Sequence, residues 1–143
     1  MSAHKMIATL FFLFLIGISG TVCAQTFSSL PESERNAKLI EVAKSVYENP
    51  RWKNFYREYG TPEIESFVRE GVGRENDPRS KKGPDLGSLI YVVIFRYDKT
   101  KESMDWDYAA KVYISDKGGM AYAIALGNGI MFKFYEMKKN PIQ

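Results

Sequence analysis

The chain has little of the two residue types that carry most nucleophilic catalysis and transition-metal binding. Its 143 residues contain one cysteine, Cys23, and one histidine, His4. Both precede residue 25, so residues 25–143 have neither. This absence excludes from that segment an intrachain disulfide, a Ser-His-Asp triad, and zinc or copper sites built on imidazole or thiolate. We therefore expect no catalytic residue, metal or cofactor, and we favour a non-catalytic protein over an enzyme.

The N-terminus has the pattern of a secretory signal peptide. One cation, Lys5, precedes the apolar run "IATLFFLFLIGI", and "VCA" then offers small residues for cleavage after Ala24. The run is shorter than the roughly 20 apolar residues that a spanning helix needs. We predict that residues 1–24 are a signal peptide and that the protein is exported, periplasmic or extracellular, with no membrane span in the mature chain. Lipid anchoring at Cys23 is the alternative, but the preceding residues match a lipoprotein pattern poorly.

The charge and the length of the chain after the signal peptide set limits on its partners and its domain count. Twenty Lys and Arg stand against 17 Asp and Glu, a net charge of +3, which does not indicate nucleic acid as a partner. Residues 25–143 suit a single domain. Within them, residues 71–87, "GVGRENDPRSKKGPDLG", have no apolar period and predict a long loop.

The first half of the domain favours helices. Ser29 and Glu32 fit a capping box for a helix that runs to Glu48. Asn49 followed by a proline predicts the start of a second helix, with an aromatic stripe that ends near Gly60. The same cap-and-proline pattern predicts a third, shorter helix from Thr61 to the glycine at position 71.

From Leu89 the apolar period changes from helical spacing to two, which predicts strands. Asp116-Lys117-Gly118 and Gly127-Asn128-Gly129 suit three-residue hairpin loops, not the glycine loops of a nucleotide site, because strands follow them where a helix would be required. These loops pair Val112 with Tyr122 and Ile124 with Phe132. The strands are predicted in four stretches: 89–98, 108–115, 120–126 and 130–136.

Together these elements predict an α+β domain in which N-terminal helices pack on one face of a four-stranded antiparallel meander sheet. In outline it resembles the cystatin-like or NTF2-like group, where a helical layer covers a curved sheet. The resemblance concerns the arrangement of elements and implies no function.

The other face of this sheet is the candidate binding site. Its register predicts a shallow trough with basic and phenolic walls and a floor of alanines: Lys111, Tyr113, Ala121, Ala123, Lys133 and Tyr135. Tyrosine is common at protein interfaces, so we expect another protein as the partner, bound by an inhibitor- or immunity-like module. A plainly solvated sheet face is the competing interpretation.

Two further interpretations stay open at this point. A small-molecule-binding protein or a simple acid–base enzyme would place a pocket between the helices and the sheet. The carboxylate pair of "DWD", Asp105 and Asp107, could meet a cation from one strand face, but we favour a structural role for it.

Overall fold

The computed structural model describes residues 26–70, 84 and 86–134, in which one α-helix precedes five strands. The strands pair antiparallel in chain order, so the sheet is a meander. An α+β fold with an antiparallel sheet is confirmed, but the sheet has five strands, not four. The elements are α1 (Glu32–Tyr47), β1 (Glu63–Val68), β2 (Leu89–Phe95), β3 (Ala110–Ser115), β4 (Ala121–Leu126) and β5 (Met131–Lys133).

Several sequence predictions fall outside the described residues. They are the signal peptide at 1–24, most of the loop at 71–87, and Tyr135. Within the described ranges, no helix is both long enough and apolar enough to cross a bilayer.

The first helix forms where its apolar period predicts, but it begins later. Acidic side chains occupy its first turn and Lys44 its last turn, the positions that the helix dipole favours. Pro31 is the N-cap and no side chain caps the helix, so the predicted capping box is wrong. The Ser29 hydroxyl donates instead to the carbonyl of Thr26 at 2.7 Å.

One stripe of α1 lies against β2, β3 and β4 and forms the main core. Leu39, Ala43 and Tyr47 are fully buried there, as are Val93 and Val112 of the sheet. Truncating a leucine in such a site typically costs about 2–5 kcal/mol. The stripe therefore anchors the helix across the centre of the sheet.

The second predicted helix is wrong. Pro50–Trp52 form a short 3-10 turn, capped by the Asn49 side chain as predicted, and the chain beyond it is irregular. The Tyr47 hydroxyl accepts a hydrogen bond from the Arg57 N–H at 2.8 Å and donates to the Phe55 carbonyl at 3.2 Å. Because these bonds satisfy backbone groups that a helix would pair internally, the segment needs no helix to bury its aromatic rings.

The third predicted helix is also wrong, because these residues form β1. Its neighbour β2, "LIYVVIF", is apolar on both faces and buried along nearly its whole length. In the pairing, Glu63 lies opposite Ile94 and Val68 opposite Leu89. A strand beside β2 satisfies one row of its backbone groups, which a helix there would leave unpaired.

The hairpin between β3 and β4 is longer than predicted. Its turn spans residues 116–119 and ends in two glycines with φ of 79° and 62°. Val112 therefore pairs with Ile124, not with Tyr122, and a bulge interrupts the ladder after Tyr113. A shift of two residues keeps every side chain before the bulge on its predicted face. The predicted register of the next hairpin, between β4 and β5, is confirmed.

Candidate functional site

The face of the sheet turned away from α1, which we call the outer face, brings together four of the predicted site residues. Tyr113 pairs with Ala123, and Ala123 pairs with Lys133 on the next strand. Lys111 lies one row along, opposite Ala125. Because side chains alternate across a strand, these residues point to the same side of the sheet.

The bulge after Tyr113 changes which residues of β4 lie on the outer face. Ala121 pairs with Ile114 and packs against the core beneath α1, so it does not join the trough floor. The inserted residue is Tyr122, whose ring centroid lies 6.1 Å from that of Tyr113. Bulges commonly re-aim a side chain in this way. The glycine pair at 118–119 is the sequence signal that a longer, irregular hairpin was possible here.

The floor of the trough is closed. Ala123 keeps 1% and Ala125 4% of its surface exposed. On the same face, Val92, Ile94 and Tyr108 form a second buried apolar cluster with Ala125. A partner would therefore contact the walls of the trough and not the methyl groups of its floor.

An aromatic pair that the sequence analysis missed extends these walls. Trp106 and Tyr108 stack with ring centroids 6.2 Å apart and planes 24° apart. The Lys111 ammonium lies 4.8 Å from the Tyr108 ring centroid, a cation–π contact. Trp106 remains 54% exposed and Met131 47% exposed. Trp106 lies in a polar connection without strand alternation, so only the tertiary structure places it beside the outer face.

The electrostatics of the outer face differ from one edge of the sheet to the other. Glu63 and Glu65 of β1 are exposed at one edge, and Lys133 of β5 is exposed at the other. Burial raises the pKa of Tyr113 and of Tyr108. Both rings therefore remain neutral phenols near pH 7, available as hydrogen-bond donors.

One carboxylate of the "DWD" pair, that of Asp107, is bound by Arg96. Arg96 donates from Nη1 to Asp107 Oδ2 at 2.6 Å and from Nη2 to Glu63 Oε2 at 2.8 Å. The hydrogen bond from Arg96 lowers the pKa of the Glu63 carboxyl. Arg96 thus joins β1 to the segment that enters β3. In the described part of the chain, no three His, Cys, Asp or Glu side chains are grouped to hold a metal ion.

The layer between α1 and the sheet is filled by side chains, with Leu39, Phe95 and Ile124 fully buried in it. An open depression of about 470 Å³ lies instead at the C-terminal end of α1. Beside it, the Tyr59 hydroxyl donates to the Glu48 carboxylate. Its lining comprises Tyr47, Glu48, Asn49, Pro50, Lys53 and Tyr56.

Comparison with protein-family models, curated proteins and solved structures found no match to this chain. The functional assignment therefore rests on the geometry of the chain itself.

Proposed function

We propose that the protein is an exported, non-catalytic protein-binding module, of the inhibitor or immunity kind, and that the outer face is its interface. The observation that carries this proposal is the exposed Trp106, stacked on the Tyr108 ring that Lys111 also contacts, at a face whose alanine floor is buried. Trp and Tyr are enriched among the residues that dominate protein–protein binding energy. Residues Tyr113 and Tyr122 supply the neighbouring aromatic area.

The shape of the outer face favours a protein over a small molecule. Small-molecule sites are usually concave and bury most of the ligand. Here the floor at Ala123 is sealed, and side chains from three strands present a broad surface. The lysines Lys111 and Lys133 suit a partner surface that carries acidic groups.

A small-molecule-binding protein or a simple acid–base enzyme is the second candidate. Side chains fill the layer between α1 and the sheet, where the sequence analysis placed that pocket. The observation that favours this candidate is the depression of about 470 Å³, which has the ionisable residues Glu48 and Lys53 in its lining. Binding that is lost in Glu48→Gln and unaffected by changes on the outer face would support it.

The proposal also includes export of the protein and a cystatin-like or NTF2-like arrangement of its helix and sheet. The leader pattern before Gln25 supports export, and N-terminal sequencing of the exported protein should begin at that residue, whereas an intact Met1 would contradict it. One helix laid on an antiparallel sheet supports the cystatin-like or NTF2-like outline.

The test begins with affinity capture from the native compartment, and the binding of the identified partner is then measured with purified variants. Trp106→Ala should weaken binding about tenfold or more if this side chain is a hot spot. Lys133→Glu should also weaken binding by reversing a charge in the wall. Lys44→Glu is the matched control, because Lys44 is exposed in the last turn of α1, away from the outer face.

The outcome distinguishes the outer face from other surfaces. Selective loss in Trp106→Ala and Lys133→Glu supports the proposal. Equal effects of Lys133→Glu and Lys44→Glu would indicate a general charge effect and count against it. Ala123→Arg is a poor probe, because a buried alanine cannot accept an arginine without disturbing the sheet.

A further inference from the structure

The edge of β1 that faces away from β2 is unusually exposed. Within the described residues, β1 ends the sheet and pairs on one side only, with β2. Five of its six residues are exposed, including the apolar side chains of Phe67, at 44%, and Val68, at 53%. Exposed strand edges are templates for pairing with another strand, and proteins usually protect or use them.

The hydrogen-bond pattern shows which backbone groups face outward. Arg69, just past β1, donates its N–H to the Ser88 carbonyl at 2.8 Å and accepts from the Gly87 N–H at 2.8 Å. In an antiparallel ladder, alternate residues bond to the same neighbour, so every second residue back from Arg69 bonds to β2. The residues in between direct their N–H and C=O groups to the free side: Ile64, Ser66 and Val68.

We propose that this edge pairs with the β1 edge of a second copy of the chain, antiparallel about a two-fold axis at Ser66. In that register Ile64 lies opposite Val68, and each outward backbone group of these residues meets a partner. Glu65 lies opposite Phe67, and Glu63 lies level with Arg69. Two sheets thereby join into one continuous sheet across an isologous interface.

The sequence of β1 avoids direct repulsion in this register. Its acidic residues lie in the first half and Phe67, Val68 and Arg69 follow, so an antiparallel copy sets no two acids directly opposite each other and places Glu63 opposite a cation. An axis at Glu65 would oppose two like charges directly and would bring Pro62, which lacks an N–H, into the ladder. An axis at Phe67 would oppose Ile64 to Glu70. The Ser66 axis avoids both conflicts.

The first test is the oligomeric state of the purified chain by sedimentation over a range of concentrations. The wild type should show a concentration-dependent dimer. Ser66→Pro removes the central outward N–H and should leave a monomer, because an edge strand tolerates proline where its N–H faces solvent. Ser66→Ala is the matched control, since it removes the same hydroxyl but keeps the N–H, and it should remain dimeric.

Two further variants keep the test decisive if Ser66→Pro fails to fold. Ser66→Lys leaves the backbone intact but sets two like charges across the axis, which should abolish the dimer. Ser66→Cys, made with Cys23→Ser, should form an intermolecular disulfide, because Cα atoms of a hydrogen-bonded antiparallel pair lie about 5.5 Å apart, within disulfide range.

Several results would overturn this proposal. They are a wild type that stays monomeric at every concentration, a dimer that survives both Ser66→Pro and Ser66→Lys, and cross-linking in Phe67→Cys but not in Ser66→Cys. The dimer variants change no residue of the walls around Lys111 and Lys133. Loss of the dimer with partner binding retained, or the reverse, therefore separates the two proposals.

Discussion

Replacing Tyr47 by phenylalanine tests how the irregular segment after α1 is held. The side chain is fully buried, and its hydroxyl bridges the Arg57 N–H at 2.8 Å and the Phe55 carbonyl at 3.2 Å. Phenylalanine keeps the ring contact with Phe95, whose centroid lies 4.8 Å away, but it leaves both backbone groups without this partner. We expect a loss of about 1–3 kcal/mol in the free energy of unfolding, the usual cost of unsatisfied buried polar groups.

The matched control is Tyr56→Phe. Tyr56 stacks on Tyr47 at 5.4 Å but is 40% exposed, so removing its hydroxyl should change the free energy of unfolding by less than about 0.5 kcal/mol. Urea denaturation at neutral pH, followed by circular dichroism, measures both variants. Equal losses in the two variants would refute the bridging role of the Tyr47 hydroxyl.

The stability lost in Tyr47→Phe should also depend on pH. Burial raises the pKa of Tyr47 to about 12 from an ordinary value of 10.0. The folded state therefore holds this proton more tightly than the unfolded state, and the resulting stability is complete below pH 10 and is lost as pH rises towards 12. The stability difference between wild type and Tyr47→Phe should be constant below pH 10 and should narrow above it, by at most about 3 kcal/mol. A difference that stays constant through this window would contradict the assignment.

Three further variants, measured again by urea denaturation, probe the connections around the sheet. Gly127→Ala should lower the free energy of unfolding by more than about 2 kcal/mol, because the added Cβ would lie 2.4 Å from the Tyr108 carbonyl oxygen. Gly60→Ala is the control: its Cβ would meet nothing within 4 Å, so the variant should be neutral or more stable by up to about 1 kcal/mol. Asp116→Ala should cost about 1–2 kcal/mol, because the carboxylate accepts from Ser28 N at 2.6 Å and from Ser28 Oγ at 2.8 Å, and alanine has neither acceptor. Equal losses for the two glycines, or no loss in Asp116→Ala, would count against these contacts.

The sequence by itself determined the elements whose local pattern is long or strongly alternating. The helical period through Leu39, Ala43 and Tyr47 located α1, a run of strong strand formers from residue 89 located β2, and the period of two after it located β3 and β4. Glycine at the tight connections located the hairpins, because left-handed backbone conformations favour it. The face shared by Lys111, Tyr113, Ala123 and Lys133 followed from alternation, and a two-residue error in register did not move these side chains to the other face.

The tertiary structure decided what short patterns leave ambiguous. Residues 63–68 satisfy helical spacing, yet they form β1, because β2 has backbone groups to pair on that side. Residues 53–59 carry an aromatic stripe, yet they form no helix, and the Tyr47 hydroxyl bonds the backbone groups of Phe55 and Arg57. The bulge that exchanges Ala121 for Tyr122 and the stacking of Trp106 on Tyr108 depend on how strands meet. The pairing of β1 with β2, the bonds of the Tyr47 hydroxyl and the bulge join residues seven or more positions apart, so no short window of sequence contains their free energy.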